Sequence, residues 1–578
     1  MLKNENKIKK LICYLLILII TTISLFFIFR DNIVLKEGQD LTFHLNRFLG
    51  IANCFEEGQI PPKIYPYANY GYGYATPLFY CDLFLYPFGI LYHFGVSAVV
   101  CYKLCLFVYT LLGNVFVYYI FNKETNDQKI SLIAVTLYCF ANYHLQNIYV
   151  RAALGEILAM SFIPLVLYAI YKILVKNEDS WLLLGISFSC LVMCHLISTF
   201  LYGMFFFVMI VIYIIINRKD LNFVKKTITT IIKGTILALL LTAWYLLPML
   251  EQLCSQTFWL NINSEQYNDI NSGAQSVKTL LTNILAISDW NAFKIHANAS
   301  VGLLLVSLPF GVCLIKKNKY ISIIAIYSLF LYLIIFGFIP GDFLNIIQFY
   351  FRLYIVIFPL LVIVSVYLIS NLKNMNVKKI ICVLVCVYSL VNTMVCIQQT
   401  KQGKYYLNNN ADIYEINYIN SFLYQLDYNH DELGGAEYLP YTERVNYEKD
   451  NYIKFKDEYG TFVKYHPDFR SLNEKKNFST YEFTIECDNQ GTEVLLPISY
   501  YKGYSAYIYK DNEWLKNDIS YDKVTKRLVV PTEEGTNNYE VTYTGTAVQK
   551  VSLSISLLTL IMLLLLFYRT KTWSKCND

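Results

Sequence analysis

The sequence predicts an α-helical polytopic membrane protein that carries a β-rich domain, sandwich-like or jelly-roll-like, near its C-terminus and ends in a final transmembrane helix. Of the 578 residues, 56% are hydrophobic and only 16% are charged, far from the balance of a soluble domain. Several apolar runs reach about 18 residues or more, which is long enough to cross a bilayer. Residues 398–548 are instead polar, with short segments rich in Val, Ile, Thr and Tyr.

The first apolar run, residues 11–29, follows four lysines, which place the N-terminus in the cytoplasm. It is too long for a signal-peptide core and lacks a small-residue cleavage site, so we expect it to be retained. We expect residues 77–94 to lie along the outer membrane surface as juxtamembrane helices. A crossing there would invert every later basic loop, and Asp82, Pro87 and His93 suit an interface better than a span.

If the later lysine- and arginine-containing loops lie in the cytoplasm, the apolar runs between them cross the membrane in alternating directions. The chain then has about twelve spans. The predicted spans are residues 11–29, 98–121, 130–147, 154–175, 181–197, 199–216, 229–250, 299–315, 320–338, 349–370, 380–397 and 549–568.

This arrangement predicts three regions and a multi-pass protein of the bacterial plasma membrane with both termini in the cytoplasm. Residues 1–397 form the transmembrane domain, with a large first outer loop at 31–97. Residues 398–548 form the extracytoplasmic β-rich domain, and residues 549–578 form the last transmembrane helix and a cytoplasmic tail. We expect the bilayer to be a partner along most of the chain.

The β-rich domain is predicted from short segments separated by turn-forming residues such as Asp, Asn and Gly. A helical stretch at 411–426 precedes them. The predicted strands are residues 480–487, 492–498, 504–509, 527–530 and 539–544.

Several classes of function have no support in the sequence. The basic residues are scattered over short loops, so nucleic acid is not expected as a partner. No phosphate-binding glycine loop, dinucleotide motif, zinc-protease motif or serine-hydrolase elbow is present. We therefore expect no cofactor and no metal site. Most of the 15 cysteines lie in apolar runs, where cysteine behaves as a small hydrophobic residue.

The first group of candidate functional residues lies just beyond the first span. Asp40, His44 and Arg47 stand at i, i+4 and i+7, so a helix would place all three on one face. A carboxylate, an imidazole and a guanidinium at a membrane surface could hold a reacting hydroxyl next to a phosphate. The alternative is a helix cap with a surface ion pair.

Further candidates stand at the predicted outer ends of later spans, where ionisable residues are costly and therefore often functional. They are Arg151 with Glu156, His195, Glu251 and Arg352. Each has a structural alternative. Arg151 and Glu156 could form a local ion pair at a turn, and His195 could be an interhelical hydrogen-bonding residue. Glu251 could be the first solvated residue after a span, and Arg352 could reach the lipid headgroups.

Because the predicted spans cross the membrane in alternating directions, all these candidates lie on the same side of it. An outward-facing cavity that contains two carboxylates and two or three arginines suits a phosphate-bearing lipid donor, because guanidinium groups bind phosphate oxygens in pairs.

Four short motifs carry a resemblance to known families. They are Asp40-Leu41-Thr42-Phe43-His44, the segments 151–156 and 348–352, and residues 496–504. With the large first outer loop, they resemble the GT-C superfamily of membrane glycosyltransferases, which take a sugar from a polyprenyl-phosphate donor. Within it they are similar to bacterial YfhO-type proteins and to a group called "6-pyruvoyl-tetrahydropterin synthase-related" membrane proteins. The pterin name implies a zinc site of histidines, but the seven histidines show no ligand spacing.

The resemblance implies roles for the candidate residues. The acidic residue of the first loop, here Asp40, would be the general base, and Glu156 would be the second carboxylate. Many members carry two adjacent acidic residues or Asp-x-Asp, whereas this chain has Gln39-Asp40, which disfavours a metal-dependent version. Arg151 and Arg352 would align the donor phosphate.

The remaining predicted substrate-binding residues are His44, Arg47 and His195. The implied partners are a polyprenyl-phosphate sugar donor and an envelope glycan, lipid or protein as acceptor.

Two other functions remain open from the sequence. One is a transporter or flippase for an envelope lipid or glycan precursor, although such proteins usually show repeated halves and interrupted helices. The other is a non-catalytic envelope scaffold, for which so many spans would not be needed.

Overall fold

The computed structural model describes residues 2–30, 40–66, 68, 72–260, 299–339, 342–402, 437–441, 469–477, 479–491, 493–523 and 525–576. Within these residues the chain is mostly helical, and the β-strands all lie between Phe469 and Tyr543. The predicted fold class, a polytopic helical membrane protein with a β-rich region near its C-terminus, is confirmed.

The α-helices are, in chain order, α1 (Leu2–Arg30), α2 (Leu41–Glu56), α3 (Thr76–Phe79), α4 (Tyr86–His93), α5 (Ala98–Thr125), α6 (Gln128–Cys139), α7 (Asn142–Gln146), α8 (Leu154–Leu174), α9 (Trp181–Cys194), α10 (Leu196–Asn217), α11 (Leu221–Ser255), α12 (Ser307–Val312), α13 (Lys319–Ile335), α14 (Tyr354–Ser370), α15 (Met375–Gln402) and α16 (Ala547–Cys576). Tighter 3₁₀ turns lie at Leu83–Leu85, Gly302–Val306, Asp342–Ile347 and Tyr350–Leu353, and one π-helical turn lies at Asn147–Arg151.

Eight helices in the described residues are long and apolar enough to cross a membrane, so the chain is a multi-pass membrane protein. These candidate spans are Ile8–Phe26, Ala98–Thr125, Leu154–Leu174, Leu196–Asn217, Leu221–Ser255, Tyr350–Ser370, Met375–Met394 and Ala547–Arg569.

The predicted count of about twelve spans is higher than this number, because four predicted spans form helices of 10–17 residues. A perpendicular crossing takes about 20 residues. The four shorter apolar helices are Gln128–Cys139, Trp181–Cys194, Gly302–Val312 and Lys319–Ile335.

The predicted span 130–147 shows why the count differs. Helix α6 ends at Cys139, and the chain continues as the short α7 and the π-helical turn. Several of the buried side chains that follow the break are polar. The Asn142 amide donates to Ser300 Oγ at 3.0 Å, and His144 Nδ1 lies 2.8 Å from the Cys139 carbonyl oxygen. Irregular backbone is tolerated in an apolar setting when protein groups satisfy it in this way.

Two prolines inside long helices each leave a backbone carbonyl without its helical hydrogen-bond donor. A tyrosine hydroxyl replaces the missing donor in both cases. A proline removes the hydrogen bond to the carbonyl four residues earlier. For Pro164 in α8 that carbonyl belongs to Met160, and the Tyr138 hydroxyl donates to it at 2.6 Å. For Pro359 in α14 it belongs to Ile355, and the Tyr202 hydroxyl donates to it at 3.0 Å.

Residues 77–94 form no long helix. Helices α3 and α4 each begin with a proline in their first turn, where the missing N–H costs nothing. The apolar stretch Leu83–His93 is among the helices too short to meet the length of a span. Its predicted juxtamembrane position remains a prediction.

Helix α2 and the segment before α4 are held together by a buried ion pair. The Arg47 guanidinium lies 2.6 Å from Asp82 Oδ1, with side-chain exposures of 1% and 0%. The Tyr65 hydroxyl donates to the other carboxylate oxygen, and Arg47 also donates to the Cys81 carbonyl at 2.9 Å. Both oxygens of Asp82 are thus satisfied, as a buried carboxylate requires.

The strands are β1 (Phe469–Asn477), β2 (Thr480–Cys487), β3 (Glu493–Ser499), β4 (Tyr504–Lys510), β5 (Glu513–Asn517), β6 (Ser520–Tyr521), β7 (Arg527–Pro531) and β8 (Gly535–Tyr543). They form two antiparallel sheets with strand orders β1-β2-β8-β4-β5 and β3-β7-β6. Phe483, Ile508 and Val541 from the first sheet and Val494 and Val530 from the second bury their side chains in one core. The region is therefore a β-sandwich.

The five predicted strands correspond to β2, β3, β4, β7 and β8. The sequence missed β1, β5 and β6, and all three lie at a sheet edge. Edge strands bury less side-chain surface and tolerate charged residues. Strand β1 reads Phe-Arg-Ser-Leu-Asn-Glu-Lys-Lys-Asn, and most of β5 is exposed. Neither is rich in the Val, Ile, Thr and Tyr residues that identified the others. The predicted helical stretch 411–426 lies outside the described residues.

Two compact units divide the chain, and each is discontinuous in sequence, unlike the predicted domains. The first contains Met1–His44, Val99–Leu239 and Gln266–Asn410. The second contains Leu45–Ala98, Leu240–Glu265 and Ala411–Asp578. The predicted domain boundaries remain predictions.

Contacts inside the second unit connect its early segment to the β-sandwich. The Ser499 N–H donates to the Tyr72 carbonyl at 2.8 Å, and the Ser479 N–H donates to Glu57 Oε1 at 2.6 Å. Phe79 and Tyr501 both pack against Phe258. The early segment therefore packs with the sandwich although about 400 residues separate them in sequence.

We expect Tyr202→Phe to lower the free energy of unfolding by about 1–3 kcal/mol, because it leaves the Ile355 carbonyl buried without a donor. The matched control is Tyr332→Phe, which removes a buried hydroxyl that has no hydrogen-bond partner among the described residues. We expect this control to be neutral or slightly stabilising. The check is thermal unfolding of the purified full chain, and equal losses in both variants would contradict the expectation.

We expect Asp82→Asn to destabilise the chain by about 3–5 kcal/mol, because it leaves the buried Arg47 guanidinium without a counter-charge. The control is Glu56→Gln, which removes the half-exposed partner of His93, 3.2 Å away, and should cost about 0–1 kcal/mol. Denaturant titration of both variants measures the difference. A loss below that of the control would show that the ion pair does not hold this segment.

Candidate functional site

A sharp turn between two helices brings Arg151 and Glu156 together. Five residues separate them, so a continuous helix would not place them on one face. The π-helical turn ends at Arg151, Ala152 adopts a left-handed conformation with φ 53°, and α8 begins at Leu154. The Arg151 Nη1 atom then lies 2.8 Å from Glu156 Oε1, with side-chain exposures of 3% and 2%. Glu156 also stands in the first turn of α8, where the helix dipole favours a carboxylate.

Arg352 joins the same carboxylate from a distant part of the sequence. Its Nε lies 3.4 Å from Glu156 Oε1, and its Nη1 donates to Gln348 Oε1 at 2.6 Å. Phe349 lies under the guanidinium, with its ring centroid 5.5 Å away. The Arg352 side chain is only 12% exposed, so the structure directs it to Glu156 and away from the alternative of a headgroup contact.

Two further side chains fix this cluster, and neither was predicted from the sequence. The Tyr143 hydroxyl donates to Glu156 Oε2 at 2.7 Å, and Arg151 Nη1 donates to Asn147 Oδ1 at 2.6 Å. Tyr143, Asn147 and Arg151 are spaced at intervals of four. This spacing is the signal that could have identified them, because such residues share a helical face.

Asp40 lies next to this cluster. Its backbone N–H donates to the Arg151 carbonyl at 3.1 Å, and its carboxyl interacts electrostatically with Arg151, Arg352 and Glu156. The residue keeps some solvent exposure. Burial of the carboxyl raises the pKa of Asp40 above its ordinary value, and the two arginines act in the opposite direction. Four of the predicted site residues therefore gather within the first compact unit.

The two guanidinium groups have unused donors. Arg151 Nε and Arg352 Nε are buried and make no hydrogen bond among the described residues, although Arg352 Nε keeps its ion-pair contact with Glu156 Oε1 at 3.4 Å. A buried donor without an acceptor is costly, so such groups often mark a site that a ligand completes. An anionic ligand that reached these groups could accept hydrogen bonds from them. The arrangement can therefore bind a phosphate or another oxyanion.

His195 stands at the start of α10, close enough to Glu156 for an electrostatic interaction. Its Nδ1 accepts the Ser198 N–H at 3.3 Å and lies 2.7 Å from Ser198 Oγ. The side chain therefore caps the helix. The role of His195 in substrate binding remains a prediction, in addition to its structural role as a helix cap.

The predicted stripe of Asp40, His44 and Arg47 does not act as one group. His44 is buried, and its ring packs beside Phe43. The backbone N–H of His44 donates to the Asp40 carbonyl at 3.0 Å. Arg47 belongs to the second compact unit, where Asp82 binds its guanidinium. The spacing of Asp40, His44 and Arg47 concerns only neighbouring residues. It therefore contains no information on the ion pair that Arg47 forms with the distant Asp82.

Glu251 also belongs to the second unit. The sequence suggested that it follows the end of a span, but the structure places it inside a helix. It lies within α11, which continues to Ser255. Its carboxylate accepts the Thr546 hydroxyl at 2.5 Å and lies 3.3 Å from Lys502 Nζ. Glu251 therefore links helix α11 to the residues that surround the last β-strand.

A zinc site of the pterin-synthase type does not fit the chain as the structure describes it. No three His, Cys, Asp or Glu side chains of the described residues come together in a way that could hold a metal ion. Zinc in such sites needs at least three protein ligands. We derive no chemistry through a metal.

Comparison with known proteins places the chain among membrane proteins. An uncharacterized protein of Lactococcus lactis subsp. cremoris is 26% identical over 260 residues, which cover 44% of this chain and 42% of the relative. Residues 79–399 match the family described as "6-pyruvoyl-tetrahydropterin synthase related domain; membrane protein". This match spans Arg151, Glu156, His195 and Arg352 and slightly more than half of the 578 residues. The chain therefore belongs to the 6-pyruvoyl-tetrahydropterin synthase-related, or YfhO-like, family of membrane proteins.

Proposed function

We propose that this protein is a membrane glycosyltransferase that moves a sugar from a polyprenyl-phosphate donor to an extracytoplasmic acceptor, which is an envelope polymer, a lipid or a protein. One observation carries the proposal. Asp40, Arg151 with Glu156, and Arg352 come from three distant parts of the sequence, yet they form one largely buried cluster with a candidate base and two incompletely hydrogen-bonded guanidinium groups. The lysine distribution supports placing this cluster at the outer face of a bacterial plasma membrane.

Asp40 is the proposed general base. In the proposed reaction the acceptor hydroxyl gives its proton to the Asp40 carboxylate while its oxygen bonds to the anomeric carbon of the sugar. The bond between that carbon and the phosphate oxygen breaks at the same time, and polyprenyl phosphate leaves with the electron pair. This single displacement inverts the configuration at the anomeric carbon. A carboxylate with a raised pKa is well matched to accept this proton.

Arg151 and Arg352 are proposed to bind the donor phosphate. Their two buried Nε–H groups supply donors for phosphate oxygens, and guanidinium groups stabilise negative charge that develops there. The charges also suit the reaction. When Asp40 takes up a proton it loses its negative charge, so the positive field of the arginines becomes available to the leaving phosphate as that phosphate gains charge.

Glu156 is proposed to position the arginines. Both of its oxygens are already engaged, one by the two guanidinium groups and the other by the Tyr143 hydroxyl. This bonding makes it a poor proton acceptor and a good anchor. Arg47, in contrast, is committed to Asp82, which favours a structural role for it over donor binding.

The β-sandwich offers a surface for the acceptor. Tyr509 and Trp514 pair across β4 and β5, with ring centroids 5.2 Å apart and exposures of 38% and 45%. Exposed aromatic faces suit contact with sugar rings. We propose that this pair contacts a glycan acceptor.

We expect Asp40→Asn to lower sugar transfer by about 10²–10⁴-fold, because the amide cannot take the acceptor proton. The assay incubates proteoliposomes containing the full chain with radiolabelled polyprenyl-phosphate hexoses and an envelope extract, and it measures label in the acceptor fraction. Asp488→Asn, a change of the same chemistry at an exposed turn, should leave transfer unchanged. Unchanged transfer by Asp40→Asn would remove Asp40 from its role. Movement of the donor across the bilayer by the unmodified chain, without any transfer, would favour a flippase.

We expect the transfer rate to fall as the pH decreases through a pKa above the ordinary aspartate value. The carboxylate is the active form, so activity is present above the raised pKa of Asp40 and is lost below it. Arg352→Gln removes a positive charge that lowers this pKa, so the acid limb of the pH profile should move to higher pH. Arg352→Lys keeps the charge and should leave the limb in place. A limb that does not move in Arg352→Gln would contradict the assignment of the base.

A further inference from the structure

A cavity of about 440 Å³ lies within the first compact unit, between α5, α8, α10, α13 and α14. Its volume is within the range of about 300–1,000 Å³ that is usual for ligand-binding cavities. The lining is almost wholly apolar and includes Pro164, Phe205, Met209, Ile212 and Ile363. A large apolar space between helices is a natural site for a hydrocarbon chain.

The cavity lies towards the opposite helix ends from the charged cluster. Helix α8 contributes Glu156 to the cluster from its first turn, but it lines the cavity with Pro164 to Leu174. Tyr171 is 15 residues beyond Glu156, which corresponds to roughly 22 Å along a helix. The arginines of the cluster are therefore too far away to contact the head group of a ligand at the mouth of this cavity.

The polar end of the cavity is built from tyrosines and a carboxylate. Tyr168 and Tyr171 line it, and their hydroxyls donate to the two oxygens of Glu124 at 2.9 and 3.0 Å. Asn217 and Asn318 line the same end from α10 and from the start of α13. The cavity thus has an apolar interior and a hydrogen-bonding rim.

Lysines surround this rim. Lys172 Nζ lies 5.6 Å from the ring centroid of Tyr168, Lys176 Nζ lies 5.5 Å from that of Tyr171, and Lys319 Nζ lies 5.2 Å from that of Tyr320. A fourth cation, Lys123, lies 6.0 Å from the Tyr168 ring.

Two carboxylates of the same region bind lysines. Glu124 lies 3.5 Å from Lys176, and Glu178 lies 2.5 Å from Lys172. Four cations against two anions leave the rim positively charged.

We propose that this cavity is a binding site for one anionic phospholipid, with an acyl chain in the apolar interior and the phosphate at the lysine rim. Charge complementarity selects this occupant, because basic rims between membrane helices attract anionic head groups. The proposal does not depend on the glycosyltransferase activity, since the site lies away from Asp40 and the arginines. It assigns the chain a bound lipid in addition to its proposed reaction.

The test uses the full chain, reconstituted in vesicles with equal amounts of phosphatidylglycerol and phosphatidylcholine, then extracted in mild detergent. Native mass spectrometry counts the lipids that remain bound. We expect one retained phosphatidylglycerol per chain and no retained phosphatidylcholine. Ile212→Trp should reduce this retention by about tenfold by filling the cavity. Val211→Trp changes the neighbouring exposed residue and should retain the lipid.

A second pair of variants tests the head-group contact. Lys172→Gln with Lys176→Gln should lower phosphatidylglycerol retention by about tenfold or more, since each lysine near an anionic head group contributes about 1 kcal/mol. Lys225→Gln with Lys379→Gln removes the same charge away from the cavity and should have no effect.

Three results would overturn the proposal. They are equal retention of both phospholipids, equal losses in the Ile212 and Val211 variants, and displacement of phosphatidylglycerol by an equal concentration of polyprenyl phosphate.

Discussion

The buried contact between one carboxylate and two guanidinium groups is the interaction on which the candidate site depends. Glu156 receives Arg151 and Arg352 on one oxygen and Tyr143 on the other. Removing one partner of a buried ion pair costs about 3–5 kcal/mol, because the remaining charge stays buried without compensation. The four helical segments that provide these residues are therefore fixed relative to one another within the first compact unit, and Asp40 is placed beside them by the hydrogen bond from its N–H to the Arg151 carbonyl.

The same first unit shows how polar groups are satisfied among apolar helices. The carbonyls released by Pro164 and Pro359 receive tyrosine hydroxyls, and the polar residues after Cys139 find partners within the protein. Some buried side-chain atoms of the described residues make no hydrogen bond, and the Nε atoms of Arg151 and Arg352 are two of them. Buried donors that make no hydrogen bond within the protein favour the binding of an anionic ligand that can accept from them.

The sequence predicted the helical membrane class, most strands and the residues of the charged cluster, because each produces a signal within a short window. Apolar length predicted the spans, richness in Val, Ile, Thr and Tyr predicted β2 and β8, and the cost of charge next to a span singled out Arg151, Glu156 and Arg352. Features that depend on distant partners were missed. Strands β1 and β5 lie at sheet edges with little apolar surface, and Arg47 is bound by Asp82 from a segment 35 residues away. The length of a helix near Cys139 likewise depends on contacts from other helices, which local hydropathy does not contain.

The left-handed turn at Ala152 limits which amino acids can occupy that position. Glycine, asparagine and aspartate adopt this backbone region at low cost, whereas valine, isoleucine and threonine strongly disfavour it. A branched side chain there would straighten the chain between Arg151 and Glu156 and separate their charges. Among proteins of this family, the residue that follows the arginine is therefore a marker by which a preserved charge cluster can be distinguished from a degenerate one.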